Sequence, residues 1–152
     1  MLKEGNAAPA FKTTDAEGNS VKLSDFRGQK VVLYFYPKDD TPGCTKEACS
    51  FRDAFADFKK QKIKVLGIST DNEASHQKFV KKYKLPFTLL TDTDHAISDA
   101  YGTYGQKKFM GRTYLGVHRK TFLIDEKGKI KKIFEKVKPD EHACEVLAAF
   151  GR

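Results

Sequence analysis

The stretch VVLYFYPKDDTPGCTKEACSF, from Val31 to Phe51, decides how the chain is read. Its first six residues, Val31–Tyr36, are all apolar or aromatic, the signature of a strand buried on both faces. Ala48, Phe51, Phe55 and Phe58 then fall on one side of a helix running from about Cys44 to Lys60. A strand therefore gives way to a helix across PKDDTPG, and two of the three cysteines, Cys44 and Cys49, sit on that helix.

Working outward, Ile63–Ser69 (IKVLGIS) is the next strand, and Ala74–Tyr83 a helix that closes shortly before Pro86. Phe87–Leu90 is a strand, followed by a short helix near Ala96–Tyr101. On the other side, Val21–Leu23 is a short strand after the turn AEGN. Residues 102–118, rich in glycine and aromatics, read as a loop. Thr121–Asp125 and Ile130–Glu135 flank EKGK as a hairpin, and a last helix starts near Asp140 as its N-cap. Alternating strands and helices that end in a hairpin and a helix specify an α/β fold. It is a three-layer sandwich, a central mixed sheet with helices on both faces. Without a repeat or linker, residues 1–152 read as one domain. Sites of such folds form where strand C-terminal ends meet helix N-termini, as the opening stretch does.

Composition is that of a globular protein, 39% hydrophobic and 32% charged over 152 residues. The beginning, MLKEGNAAPAF, has no long apolar run, and no stretch is long enough for a membrane span, so a cytoplasmic location is expected. In that compartment close cysteines are more often catalytic or metal-binding than structural. The net charge of +8 comes from lysines spread along the chain. No zinc-finger spacing, basic helix or RNA-recognition signature accompanies them, so neither nucleic acid nor membrane is expected as a partner. His76, His95, His118 and His142 are scattered and read as surface residues; His142 and Cys144 are too close in sequence for a helical metal pair.

Thr41 suits the N-cap of the cysteine-bearing helix, which puts Pro42 at N1 and Cys44 at N3. Unpaired N–H groups and the positive end of the helix dipole favour a thiolate there. Cys44 lies on the apolar stripe, whereas Cys49 lies about 140° around the helix. Helical residues five apart have Cα atoms about 8–9 Å from one another, and a disulfide wants about 4.4–6.8 Å. The two thiols can bond only if the first turns unwind. Attack on a peroxide fits such a pair: one thiolate becomes a sulfenic acid and a second thiol condenses with it. Inert buried thiols fit the residues equally well.

The flanks add a resemblance. Pro37, Thr41 and Cys44 spell P-x-x-x-T-x-x-C, and the chain resembles the peroxiredoxins, whose active-site motif has this pattern. YFYPKDDTPGCTKEAC is similar to the bacterioferritin comigratory protein group, or Q type. GNAAPAF, LGISTD, FTLLTD and FMGRTYLGVHRKTFLID resemble the same group in the same order, so the likeness covers essentially the whole chain. It implies a thioredoxin-like fold. It also implies a peroxidatic Cys44, a Thr41 hydroxyl that bonds the peroxide, a Pro37 that covers the thiolate, an Arg119 beside it, and a resolving Cys49. The cycle so implied reduces hydrogen peroxide or organic hydroperoxides in antioxidant defence. It passes through a Cys44–Cys49 disulfide reduced by thioredoxin, needs no cofactor or metal, and suits a monomer.

Cys144, among Val146, Leu147 and Ala148, reads as a buried bystander. Tyr101, Phe109 and Tyr114 are expected around the active-site loops. Two rival classes remain. A thiol–disulfide oxidoreductase would normally carry C-x-x-C rather than this C-x-x-x-x-C. A basic binding module would show affinity that falls steeply with salt.

Overall fold

The computed structural model describes residues 2–150, with only the backbone of Phe109. Its central sheet has five strands in the order β5-β4-β3-β8-β9. These are β3 (Lys30–Phe35), β4 (Ile63–Ser69), β5 (Thr88–Thr91), β8 (Lys120–Ile124) and β9 (Ile130–Phe134). β3, β4 and β5 run parallel; β8 and β9 are antiparallel to their neighbours, with a register shift at Leu123/Ile124. The mixed sheet is the one expected, and β3 is its centre because VVLYF can be buried on both sides. Side chains alternate along a strand. Val32, Tyr34 and Tyr36 enter one core with Ala48, Phe51, Phe58, Phe79 and Val146. Val31, Leu33 and Phe35 enter the other with Leu66, Ile97, Tyr101 and Phe122.

Helices α1 (Pro42–Asp53), α2 (Phe55–Lys60), α3 (Glu73–Tyr83) and α5 (His142–Ala149) contribute to the first core, and α4 (Ala96–Ala100) to the second. A short antiparallel pair, β1 (Lys12–Thr14) and β2 (Ser20–Lys22), stands outside the sheet. The helix expected over Cys44–Lys60 is interrupted at Ala54, whose φ of −95° and ψ of 5° leave the α region. With that break Phe51 and Phe58 both stay fully buried, their rings 5.6 Å apart.

Residues 102–118 are not a loop. They form a two-stranded ribbon, β6 (Tyr104–Phe109) and β7 (Arg112–Val117), that pairs with no other strand among the described residues. Met110 and Gly111 make its two-residue turn with φ of 50° and 78°, the geometry hairpin turns need. Glu141 rather than Asp140 occupies the N-cap position of the last helix, without a side-chain capping bond. Cys144 is exposed, not buried, because α5 turns Ala143, Val146 and Leu147 inward instead. Among the described residues no helix is long and apolar enough to cross a membrane.

Candidate active site

Thr41 occupies the N-cap position in extended conformation, Pro42 follows at N1 and Cys44 at N3, as the spacing predicts. The capping bond itself is absent. The Thr41 hydroxyl instead donates to the Lys38 carbonyl at 2.9 Å. The N–H groups of the first turn, which a helix cannot bond internally, are thereby left without that cap. The lone pairs of the Thr41 oxygen also stay free to accept.

Cys44 is 1% exposed and faces the core. Arg119 directly precedes β8, and Lys120 pairs with Phe35 at the end of β3, so the sheet carries Arg119 to the start of α1. Its Nη2 donates to Cys44 Sγ at 3.3 Å, and its Nη1 to Glu47 Oε1 at 2.6 Å. Glycine at position 43 permits this approach, since a Cβ there would stand 3.1 Å from Nη2. Arg119 is therefore not the solvent-facing strand arginine that its immediate neighbours in sequence suggest.

Glu47 was not singled out by the motif, yet it is fully buried. It lies three residues after Cys44 on the same helical face. A carboxylate on an otherwise apolar stripe was the available signal. Burial pushes its carboxyl up to about 7, outweighing the charge and hydrogen bond of Arg119 that pull it down. Its Oε2 and the Tyr34 hydroxyl are buried without a hydrogen-bond partner among the described residues.

Cys49, on the same helix, is half-buried, and all three cysteines are free thiols. Pro37 lines a cleft with Lys38, Lys107, Tyr114 and Leu115. Tyr101 is elsewhere: it packs on Phe35 and Phe122 in the opposite core, its hydroxyl donating to the Pro9 carbonyl. The side chain of Phe109 lies outside the described residues.

Two histidines read as surface residues are buried. His142 is wedged edge-on between Phe51 and Phe134, with Nε2 2.7 Å from Thr121 Oγ1. His76 lies 2.6 Å from Asp39 through Nδ1 and 2.8 Å from the Leu90 carbonyl through Nε2. Asp39 also accepts from the hydroxyls of Tyr36 and Ser75, while its N–H donates to Asp71. Asp39, Asp71 and His76 are close enough to hold a cation. Both ring nitrogens of His76 face acceptors, however, so neither keeps a lone pair for a metal. The cluster instead fastens the Pro37–Thr41 loop to α3.

The site is thus a buried cysteine at N3 of α1, bonded by an arginine that directly precedes β8. The chain belongs to the AhpC/TSA family, whose model matches residues 5–133. It is 50% identical over 146 residues to the putative peroxiredoxin bcp of Coxiella burnetii, covering 96% of this chain and 97% of that one. Its fold is similar to that of a crystal structure of Xylella fastidiosa PrxQ, with a TM-score of 0.93, 31% identity, and coverage of 99% and 96% of the two chains. A structure of the Xanthomonas campestris bacterioferritin comigratory protein, whose report concerns alkyl peroxide reduction, has a TM-score of 0.86, 37% identity, and coverage of 91% and 88%. The expected group is thus borne out: this is a peroxiredoxin of the bacterioferritin comigratory type with a thioredoxin-like fold, a thiol peroxidase.

Proposed function

We propose that this peroxiredoxin reduces hydrogen peroxide and organic hydroperoxides through Cys44, resolves the product with Cys49, and is recycled by thioredoxin. The observation that carries the reading is the Arg119 Nη2 to Cys44 Sγ contact at 3.3 Å beside an uncapped helix N-terminus. The relative named for alkyl peroxide reduction supports including organic hydroperoxides.

In the first step the Cys44 thiolate attacks one peroxide oxygen. An S–O bond forms, the O–O bond breaks, and the departing alkoxide or hydroxide takes a proton to leave as alcohol or water. Negative charge spreads across S···O···O, where Arg119 and the first-turn N–H groups of Gly43 and Cys44 are preorganised donors. Thr41, donating to the Lys38 carbonyl, keeps a lone pair for the peroxide O–H. Pro37 limits water at the thiolate.

The second step needs a different conformation. Cα atoms five residues apart in α1 stand about 8–9 Å from one another, beyond the span of a disulfide. The first turns unwind, the Cys49 thiolate attacks the sulfenic sulfur of Cys44, and water leaves. Thiol–disulfide exchange with an external dithiol restores both thiols. We place this cycle in a single domain, residues 1–152, acting as a cytoplasmic monomer in antioxidant defence.

One equivalent of hydrogen peroxide, added to reduced protein and quenched within seconds, tests the cycle by mass mapping of the cysteines. A Cys44–Cys49 disulfide is expected. Cys44→Ser should leave the protein unreactive, and Cys49→Ser should stop at a sulfenic acid on Cys44. Untouched thiols in the parent chain would overturn the reading, and a persistent sulfenic acid there would remove Cys49 from it.

A further inference from the structure

The β6–β7 ribbon carries features that its own fold does not use. Met110 is 87% exposed, Leu115 65% and Tyr114 47%, and these are the exposed large apolar side chains among the described residues. Met110 also sits at positive φ in the two-residue turn, a position that Asn, Asp or Gly occupies with least strain. An apolar residue is thus kept where both water and the backbone disfavour it. Large exposed apolar side chains gathered on one hairpin, and nowhere else among the described residues, mark that hairpin as a contact surface.

Charge and position narrow what touches it. Residues 101–120 contain Lys107, Lys108, Arg112, Arg119 and Lys120 and no Asp or Glu. A second copy of this chain would bring its own net charge of +8 against this patch, so the complement is an acidic surface with an apolar centre. Leu115 and Tyr114 share a cleft with Pro37 and Lys38, and β7 leads through His118 to Arg119, which bonds Cys44. A partner seated on the ribbon is therefore beside the reactive cysteine. The catalytic cycle demands one visitor of protein size at that place, the dithiol that reduces the disulfide.

We propose that the β6–β7 hairpin is the docking surface for the protein reductant, a thioredoxin-type dithiol with an acidic, partly apolar face. This rests on the peroxidase reading above. The exchange balances without further reagents. The reductant's two thiols give two electrons and two protons, its own disulfide forms, and the Cys44–Cys49 bond opens to two thiols.

The test compares the parent chain with a Lys108→Glu/Met110→Asp/Arg112→Glu variant, all three positions being exposed. Peroxide turnover is driven either by an acidic bacterial thioredoxin with its reductase and NADPH, or by dithiothreitol. The variant is expected to raise the KM for thioredoxin about ten-fold or more, as loss of a charged, apolar hot spot does. Its kcat, its dithiothreitol-driven rate and its rate of Cys44 oxidation by hydrogen peroxide should match the parent. Rising salt should weaken thioredoxin use by the parent more than by the variant. An unchanged thioredoxin KM would overturn the proposal, even if the variant had lost binding to phosphatidylglycerol vesicles. So would equal losses with both reductants, or a parent that turns over with dithiothreitol but not with thioredoxin. Absence of turnover with either reductant would instead sink the peroxidase reading itself.

Discussion

The guanidinium of Arg119 meets the buried carboxylate of Glu47 at 2.6 Å while its other terminal nitrogen reaches Cys44. One helix thus presents a thiol and a carboxylate, three residues apart, to a single arginine just ahead of β8. Burial of the Glu47 carboxyl outweighs the attraction of Arg119 for it, as a buried ion pair's desolvation can exceed its Coulombic gain. Here the pair also sets where the arginine's second arm points.

Gly43 tests that geometry without touching a charged group. An added Cβ would lie 3.1 Å from Nη2, closer than comfortable contact, and the guanidinium end can yield. Gly43→Ala is expected to slow Cys44 oxidation by hydrogen peroxide about 10-fold or more, since losing a preorganised donor costs roughly 10²–10³. Stability should hold or rise by up to about 1 kcal/mol, because alanine favours the helix. Stopped-flow oxidation alongside urea unfolding separates the two effects; a variant with parental kinetics would contradict the contact.

Glu47 makes stability depend on pH in a defined direction. Its folded pKa is raised from 4.5 to about 7, so the unfolded chain releases this proton first. Stability from this group is highest below about pH 4.5 and is lost as pH rises toward 7. The difference corresponds to roughly 3 kcal/mol. Glu47→Gln should remove that slope and be the more stable protein at pH 8, read by urea unfolding from pH 4 to 8. Parallel pH curves for the two proteins would refute this assignment.

The Asp39–His76 pair behaves oppositely in origin though not in sign. Burial pushes the His76 pKa down. The hydrogen bond and charge of Asp39 and the Leu90 carbonyl push it up, and together they prevail. Its stabilisation is complete below the unfolded pKa of about 6.5 and fades as pH rises through the higher folded value. His76→Leu leaves Asp39 buried without its cation and should cost about 3–5 kcal/mol at pH 6. Asp39→Ala/His76→Leu, which removes both charges, should cost less than the single change. A double variant no more stable than His76→Leu would mean the pair is not coupled.

Much of this molecule is legible in its sequence, for a physical reason. Apolar runs such as VVLYFY and IKVLGIS report burial directly, and Thr41, Pro42 and Cys44 mark a helix start through short-range steric and hydrogen-bonding rules. Those local rules determined the order of strands and helices, the mixed sheet and the placing of Cys44 at N3. Ribbon β6–β7 escaped because an exposed two-stranded ribbon has no apolar alternation, and Met110 is not a turn residue. Glu47, His76 and His142 escaped because a polar residue enters a core only when distant partners receive it. Arg119 lies 72 residues from Glu47, and Asp39 lies 37 from His76. The sequence by itself determined which thiol stands at the start of α1; only the packing of β8 against β3, and of α3 against the Pro37–Thr41 loop, decided which charges would surround it.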